Sequence, residues 1–352
     1  MPNFQHWLAL PVKDVDIDSH NAAFAHQQQL TKPAGSLGQL ESIAIKLAGL
    51  QATAMPSVDN VQITVFAADH GVVEQGVSAF PQSVTAEMIR NFSAGGAAIS
   101  VLAKENNARL SVINLGTVDP LEPLENVEDA RISSGTRNFY IEQAMTQHQC
   151  QQAMLVGAEH INSLTENAVQ LFIGGEMGIG NTTSATAIAC ALLNKKAQQL
   201  VGAGTGLDQQ AIQKKATIIE HALTRHHNQL NTPLNILHIL GGFEIAALTG
   251  AYLQCAKLGI PVLIDGFISS VAALLAQHIQ DESQQWFLFS HQSAEQGHQK
   301  ILSALNATPI LNLDMRLGEA SGAAVALPLL KLSCALHNAM ATFSQASISN
   351  ND

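Results

Sequence analysis

Positive charge is scarce in this chain. Only 17 Lys and Arg stand against 28 Asp and Glu among 352 residues, a formal net charge of −11. A generic binder of nucleic acid or of an anionic membrane needs the opposite sign, so neither partner is expected. An anionic small molecule must then be held by local donors, which favours glycine loops and helix N-termini over a basic patch. Aromatic residues are also few, at 5%, although hydrophobic residues reach 47%. The core is therefore aliphatic, as in sheets buried under helices. The four cysteines, Cys150, Cys190, Cys255 and Cys334, lie far apart with no CxxC pair. That spacing argues against a disulfide framework and fits a reducing cytosol. The histidines show no HExxH spacing and no cysteine cluster joins them, so no metal or cofactor is expected. Apolar runs break well short of the ~20 residues that span a bilayer. The opening "MPNFQHWLALPVKDVDIDSH" lacks the basic n-region of a signal peptide, and a cytoplasmic protein is expected.

The length suits one large domain or two ordinary ones. Residues 1–56 read as polar helix, broken at Pro33, Gly35 and Gly38 before "SLGQLE" opens a helix with Ser36 as its N-cap. Beyond them the rhythm changes. The short apolar runs "VQITVFAADHG", "RLSVINLGT", "VQLFIGGEMG", "LNILHILGGFE", "IPVLIDGF" and "WFLFSHQS" read as strands, with "TPILNLDMRLGE" a seventh candidate. Helical patterns such as "SVTAEMIRNFSAGGAAISVLAKE", "DQQAIQKKATIIEHAL" and "FISSVAALLAQHI" fall between them. Strand alternating with helix predicts an α/β fold, a Rossmann-like parallel sheet with helices on both faces. The last apolar helix, "AVALPLLKLSCALHNAMATF", is expected to join the N-terminal helices in a small helical lobe. The division is an α/β domain over 57–328 and a lobe of 1–56 with 329–352. The tail "SQASISNND" reads as disordered.

In such sheets the ligand lies beyond the carboxyl ends of the strands. The expected strand ends carry Asp69-His70, Thr117, Glu176, Glu244, Asp265, Ser290-His291 and Glu319. The richest turn is "GGEMGIGNTT", in which Gly175 to Thr182 has Walker A spacing with Asn181 where the lysine belongs. Lacking that cation, the loop disfavours a nucleoside triphosphate but still suits one phosphate monoester held by backbone N–H groups; a tight turn with no ligand is the other reading. "VGAGTGLD", with Gly204 at its centre, falls short of a dinucleotide fingerprint. Lys214 and Lys215 follow it, either reaching that phosphate or forming a solvated helix face. Asp69 and His70 fit a capping role better than a catalytic one. Phe80, Pro81 and Met88 make either a slot for a flat aromatic ring or ordinary core. In "LDMRLGEASGAA", Glu319 is either a helix-start acid or a general base whose pKa burial raises beside Met315 and Leu317.

Taken in order, "LTKPAGSLGQLE", "ADHGV", "FPQSVT", "GGEMGIGNTT", "VGAGTGLD", "GGFEIAALTG", "LIDGFISS", "SHQSAEQGH" and "MRLGEASGAA" run from residue 30 to residue 324. This string resembles the nicotinate-nucleotide–dimethylbenzimidazole phosphoribosyltransferases of cobalamin nucleotide-loop assembly. The resemblance implies transfer of 5-phosphoribosyl from nicotinate mononucleotide to 5,6-dimethylbenzimidazole by a cytoplasmic homodimer with no cofactor. It places the catalytic carboxylates on Glu319 and Glu176. Phosphate and ribose fall to Gly175, Gly178, Asn181, Thr182, Gly204, Lys215, Asp265 and Ser293. The acceptor base falls to Phe80, Pro81, Met88, Met315 and Leu317.

Overall fold

The computed structural model describes residues 3–202, 204 and 208–349. Six strands, β1 (Val61–Ala68), β2 (Arg109–Gly116), β3 (Val127–Asp129), β4 (Leu171–Met177), β5 (Val262–Ile264) and β6 (Phe287–Phe289), form one sheet in the order β3-β2-β1-β4-β5-β6. Every pairing is parallel. All eight residues of β1 are buried, because helices cover both faces of the centre. That is why these strands read as continuous apolar runs rather than alternating ones. Strand order reverses between β1 and β4, which opens a crevice beyond their carboxyl ends.

The helices α1 (Phe4–Leu8), α2 (Ile17–Gln27) and α3 (Gln39–Gln51) precede the sheet, and α4 (Ser83–Ser93) and α5 (Ala98–Glu105) join β1 to β2. α6 (Gln147–Ser163) leads into β4, and α7 (Asn181–Leu193), α8 (Gln209–His226), α9 (Pro233–Leu240) and α10 (Phe243–Leu258) lead from β4 to β5. α11 (Phe267–Ile279) joins β5 to β6, and α12 (His298–Ala304), α13 (Ser321–Ala339) and α14 (Phe343–Ala346) follow. α13 packs on α3 and α5, and Leu30 bridges Thr342 in antiparallel register, so the two ends of the chain meet.

Five expected strands form, and two do not. "LNILHILGGFE" is helix: Thr232 caps α9 by accepting the N–H of Asn235, and Pro233 opens its first turn. The Thr-Pro start signal outweighs the apolar run, which by itself suits a buried helix as well as a strand. Glu244 thus opens α10 instead of ending a strand. "TPILNLDMRLGE" stays irregular apart from one bridge, His291 to Leu311, and Asp314 and Glu319 within it have φ of +53° and +63°. Short β3 and the whole of α6 lie outside the expected elements. The single helix expected across "SVTAEMIRNFSAGGAAISVLAKE" splits into α4 and α5 at Gly95, where φ is +82°. Ser36 is no cap: α3 begins at Gln39 after Gly38, and the Glu41 carboxylate takes the Leu37 N–H at 2.9 Å while pairing with Lys32. The first residues of the tail form α14, closed by a Thr342–Gln345 capping box.

α6 and α10 cross so closely that only glycine fits. A Cβ on Gly157 would sit 2.0 Å from the Ala247 oxygen, and one on Gly250 2.0 Å from the Met154 oxygen. Neither obstacle is a flexible side chain, so the helices themselves must part. Gly157→Ala should therefore cost about 1–3 kcal/mol or more, read as a lower midpoint in urea at unchanged slope. An unshifted midpoint would mean that the crossing relaxes freely.

Candidate active site

The crevice is built first from the end of β1. Asp69, fully buried, accepts the Thr85 hydroxyl at 2.6 Å and the Val118 N–H at 2.8 Å. Thr85 Oγ1 in turn accepts the N–H of Ile179 at 3.1 Å. Asp69 thereby ties β1 to α4, to the turn after β2 and to the loop after β4. His70 Nε2 lies 2.6 Å from Glu244 Oε1, and both side chains are buried. The glycine loop rests on this imidazole: a Cβ on Gly178 would be 3.4 Å from its Cδ2.

The end of β4 supplies Glu176, whose carboxylate accepts from the Asn181 amide. Gly180, at φ +98°, turns the chain into α7, so the N-terminus of a 13-residue helix faces the crevice. Gly175 has a different task. A Cβ there would stand 2.7 Å from Ala320 N and Glu319 C. The backbone of residues 318–320 crosses β4 at contact distance, and that crossing brings Glu319 beside Glu176. Glu319 and Ala320 hold φ of +63° and +71° immediately before α13, a left-handed pair that side chains seldom adopt.

A cavity of about 320 Å³ opens here, and Glu176, Gly178, Asn181, Thr182, Gly204, Asp265, Ser293 and Glu319 line it together with Phe80 and Leu317. Gly175, Lys215, Pro81, Met88 and Met315 are not on its wall. Lys215 stands directly behind it: its Nζ donates to Thr182 Oγ1 at 2.8 Å and lies 3.3 Å from where a Cβ on Gly204 would be. Neighbouring Lys214 turns away, toward Gly76. Of "VGAGTGLD", Ala203, Thr205, Gly206 and Leu207 lie outside the described residues. Of the five residues expected around the acceptor ring, Phe80 and Leu317 are on the wall. Phe80 and Leu317, 49% and 58% exposed, flank the mouth. Met88 packs against the core from α4, and Met315 is fixed through its carbonyl to the Ala294 N–H at 2.9 Å. Pro81 is exposed on the adjoining loop.

Sequence reasoning left His291 and Arg316 without a role, and it overlooked Phe267, Ile268 and Glu295; all line the cavity. The available signal was the α11 start directly after Asp265, another helix N-terminus at a strand end.

Carboxylates crowd the site. Burial, and then the charge of Asp265, push Glu319 up to about 7, while the Ile99 N–H opposes the shift. Its Oε2 has no hydrogen-bond partner among the described residues. Glu176 is held well above the usual carboxylate range by burial, then by Glu244, Asp265 and Glu319, against the Asn181 bond. Burial also raises Asp265, although His291 and the N–H groups of Ala323, Gly266 and Gly322 favour its charge. Lys215 is lowered to about 8 by burial, with Glu295 opposing. A carboxyl poised near neutrality, a second carboxyl beside it, and a cation and a helix N-terminus at the same cavity suit chemistry at a cationic centre next to a bound anion.

Comparison with known proteins points the same way. A phosphoribosyltransferase family model, DBI_PRT, matches residues 12–348. Proteins named nicotinate-nucleotide–dimethylbenzimidazole phosphoribosyltransferase from Pseudomonas putida (strain GB-1) and Xanthomonas oryzae pv. oryzae (strain PXO99A) are each 54% identical to this chain. The alignments cover 98% and 95% of this chain and 99% and 96% of those relatives. The crystal structure of CobT from Thermus thermophilus superposes with a TM-score of 0.91 at 37% identity, covering 95% of this chain and 100% of that one.

Proposed function

The chain belongs to the phosphoribosyltransferase family of the nicotinate-nucleotide–dimethylbenzimidazole type, and from that membership we propose that it transfers 5-phosphoribosyl from nicotinate mononucleotide to 5,6-dimethylbenzimidazole, with Glu319 as general base. The products are α-ribazole 5′-phosphate and nicotinate, for cobalamin synthesis. The observation that carries the mechanism is Glu319 itself, a buried carboxyl on the wall of the cavity with a pKa raised to about 7 and one oxygen unpartnered among the described residues.

In nicotinate mononucleotide the leaving nitrogen is a pyridinium and departs neutral, so the step needs no general acid. The reacting carbon becomes oxocarbenium-like as the bond to nitrogen breaks. Glu176 and Glu319 face that charge from one wall, and the cationic centre favours their ionised forms against the burial that chiefly raises both. One benzimidazole nitrogen attacks from the opposite face, inverting the anomeric carbon from β to α. Its other nitrogen then sheds a proton to Glu319. The phosphate takes the α7 N-terminus, Thr182 and Lys215. The acceptor ring enters between Phe80 and Leu317. The same reading takes a homodimer in the cytoplasm; Ile17 and Phe24 on α2, 62% and 53% exposed, are apolar surface for a second copy to cover.

The direct experiment is incubation with nicotinate mononucleotide and dimethylbenzimidazole, with chromatography for nicotinate and the α-nucleotide. Absence of both products from folded protein refutes the reading. Lys215→Ala should raise KM for the mononucleotide about tenfold or more, with a smaller change in kcat; an unchanged KM removes Lys215 from the phosphate site. The pH dependence has a definite sign. kcat/KM reports groups of the free enzyme. It should rise as Glu319 loses its proton through about 7 and fall as Lys215 loses its charge above about 8. A profile flat across that window would contradict both assignments.

A further inference from the structure

The stretch "SHQSAEQGH", residues 290–298, ends on a histidine that the transfer steps do not use. His298 is fully buried and stands behind the cavity wall, not on it. It opens α12, and Gly297 before it is seated too tightly for a side chain. A Cβ on Gly297 would lie 2.6 Å from the Leu200 oxygen and 2.9 Å from Phe267 Cε2. The backbone that carries the imidazole is therefore fixed.

Both ring nitrogens are engaged. Nδ1 accepts the Ser293 N–H at 2.7 Å, and Nε2 lies 3.0 Å from Ser270 Oγ on α11. Because an N–H points at Nδ1, the ring proton sits on Nε2 and is donated to Ser270. A second proton has no place on this ring. Burial, and then the charge of His291, lower its pKa to about 3. At neutral pH His298 is a fixed, uncharged acceptor.

The loop it holds leads to Glu319. Gln292 N donates to the Leu311 oxygen at 2.8 Å, and Ala294 N to the Met315 oxygen at 2.9 Å. These two bonds grip the irregular segment 311–315, which runs directly into the Glu319 turn. Between them, the Ser293 N–H ties the same loop back to His298. A buried N–H without an acceptor is costly, so loss of Nδ1 would move Ser293 until it met another oxygen or water. Gln292 and Ala294 would move with it.

We propose that His298 is a positioning residue: its Nδ1 fixes the Ser293 loop, and that loop sets where the Glu319 segment lies. This rests on the proposed phosphoribosyl transfer. The test compares His298→Leu, which fills a similar volume with no acceptor, and His298→Asn, whose amide oxygen can take the place of Nδ1 but cannot titrate. Assayed well below both melting temperatures, the leucine variant should lose about 10- to 100-fold in kcat and the asparagine variant less than about threefold. A merely structural role would make activity follow the melting temperature, whereas positioning makes it follow the acceptor. Equal losses in the two variants, or native kcat in the leucine variant, overturn the assignment. Hydrogen exchange reads the contact without catalysis. Residues 290–298 should exchange faster in the leucine variant and at the wild-type rate in the asparagine variant, and unchanged exchange in the leucine variant overturns the assignment. If neither variant folds, Ser270→Ala removes only the partner of Nε2 and should lower kcat about two- to tenfold; native kcat there overturns it. Wild-type protein that releases no nicotinate refutes the transfer reaction instead, and the exchange measurement still judges the His298 contact.

Discussion

Glu319→Gln should lower kcat by about 10²- to 10⁴-fold. The amide keeps the size and planarity of the carboxyl but cannot accept the benzimidazole proton. KM for nicotinate mononucleotide should change little, because the phosphate is assigned to Thr182, Lys215 and the α7 start rather than to this side chain. The acid limb of the pH profile should vanish with the activity, since the group that titrates near 7 is gone. A glutamine variant at native turnover, with the acid limb intact, would assign the base elsewhere. Loss of the limb would show that turnover needs the ionised Glu319 carboxylate.

Gly175→Ala should be nearly as damaging, although Gly175 is not on the cavity wall. The added methyl would meet Glu319 C and Ala320 N at 2.7 Å, and Ala320 Cβ at 2.8 Å. One of the two crossing segments must move. β4 is bound on both sides, by β1 and β5, whereas residues 319 and 320 are already held at positive φ. The turn therefore yields and carries Glu319 with it. A displacement of about 1 Å of a catalytic group costs on the order of 10²-fold in rate. Circular dichroism and thermal melts should show a folded protein, and steady-state kinetics should show the loss in kcat with a modest change in KM. Native kcat in the alanine variant would show that the turn does not set the position of Glu319.

These substitutions mark how far the chain can be read without its structure. The glycine-rich turn after β4, the acids Asp69, Glu176 and Asp265 at strand ends and the strand–helix rhythm were legible because each is local. Buried parallel strands must be continuous apolar runs, and loops that hold anions need glycine. Where local evidence was ambiguous, it misled. Residues 234–240 are as apolar as the true strands, and only the Thr232-Pro233 start distinguished them as a helix. Met88 and Phe80 are both apolar near one turn, but α4 packs half-buried Met88 against the core and the loop leaves Phe80 at the mouth.

By itself the sequence determined the fold class and the glycine-rich turn after β4, both properties of residue type and short spacing. Only the tertiary structure decided that Lys215 rather than Lys214 stands behind Thr182, that Gly175 admits the Glu319 turn, and that His291 and the start of α11 share the cavity. These facts depend on the order β3-β2-β1-β4-β5-β6, which brings together segments far apart in the chain. Residue type and short spacing carry no record of which distant backbone passes within 3 Å of a glycine.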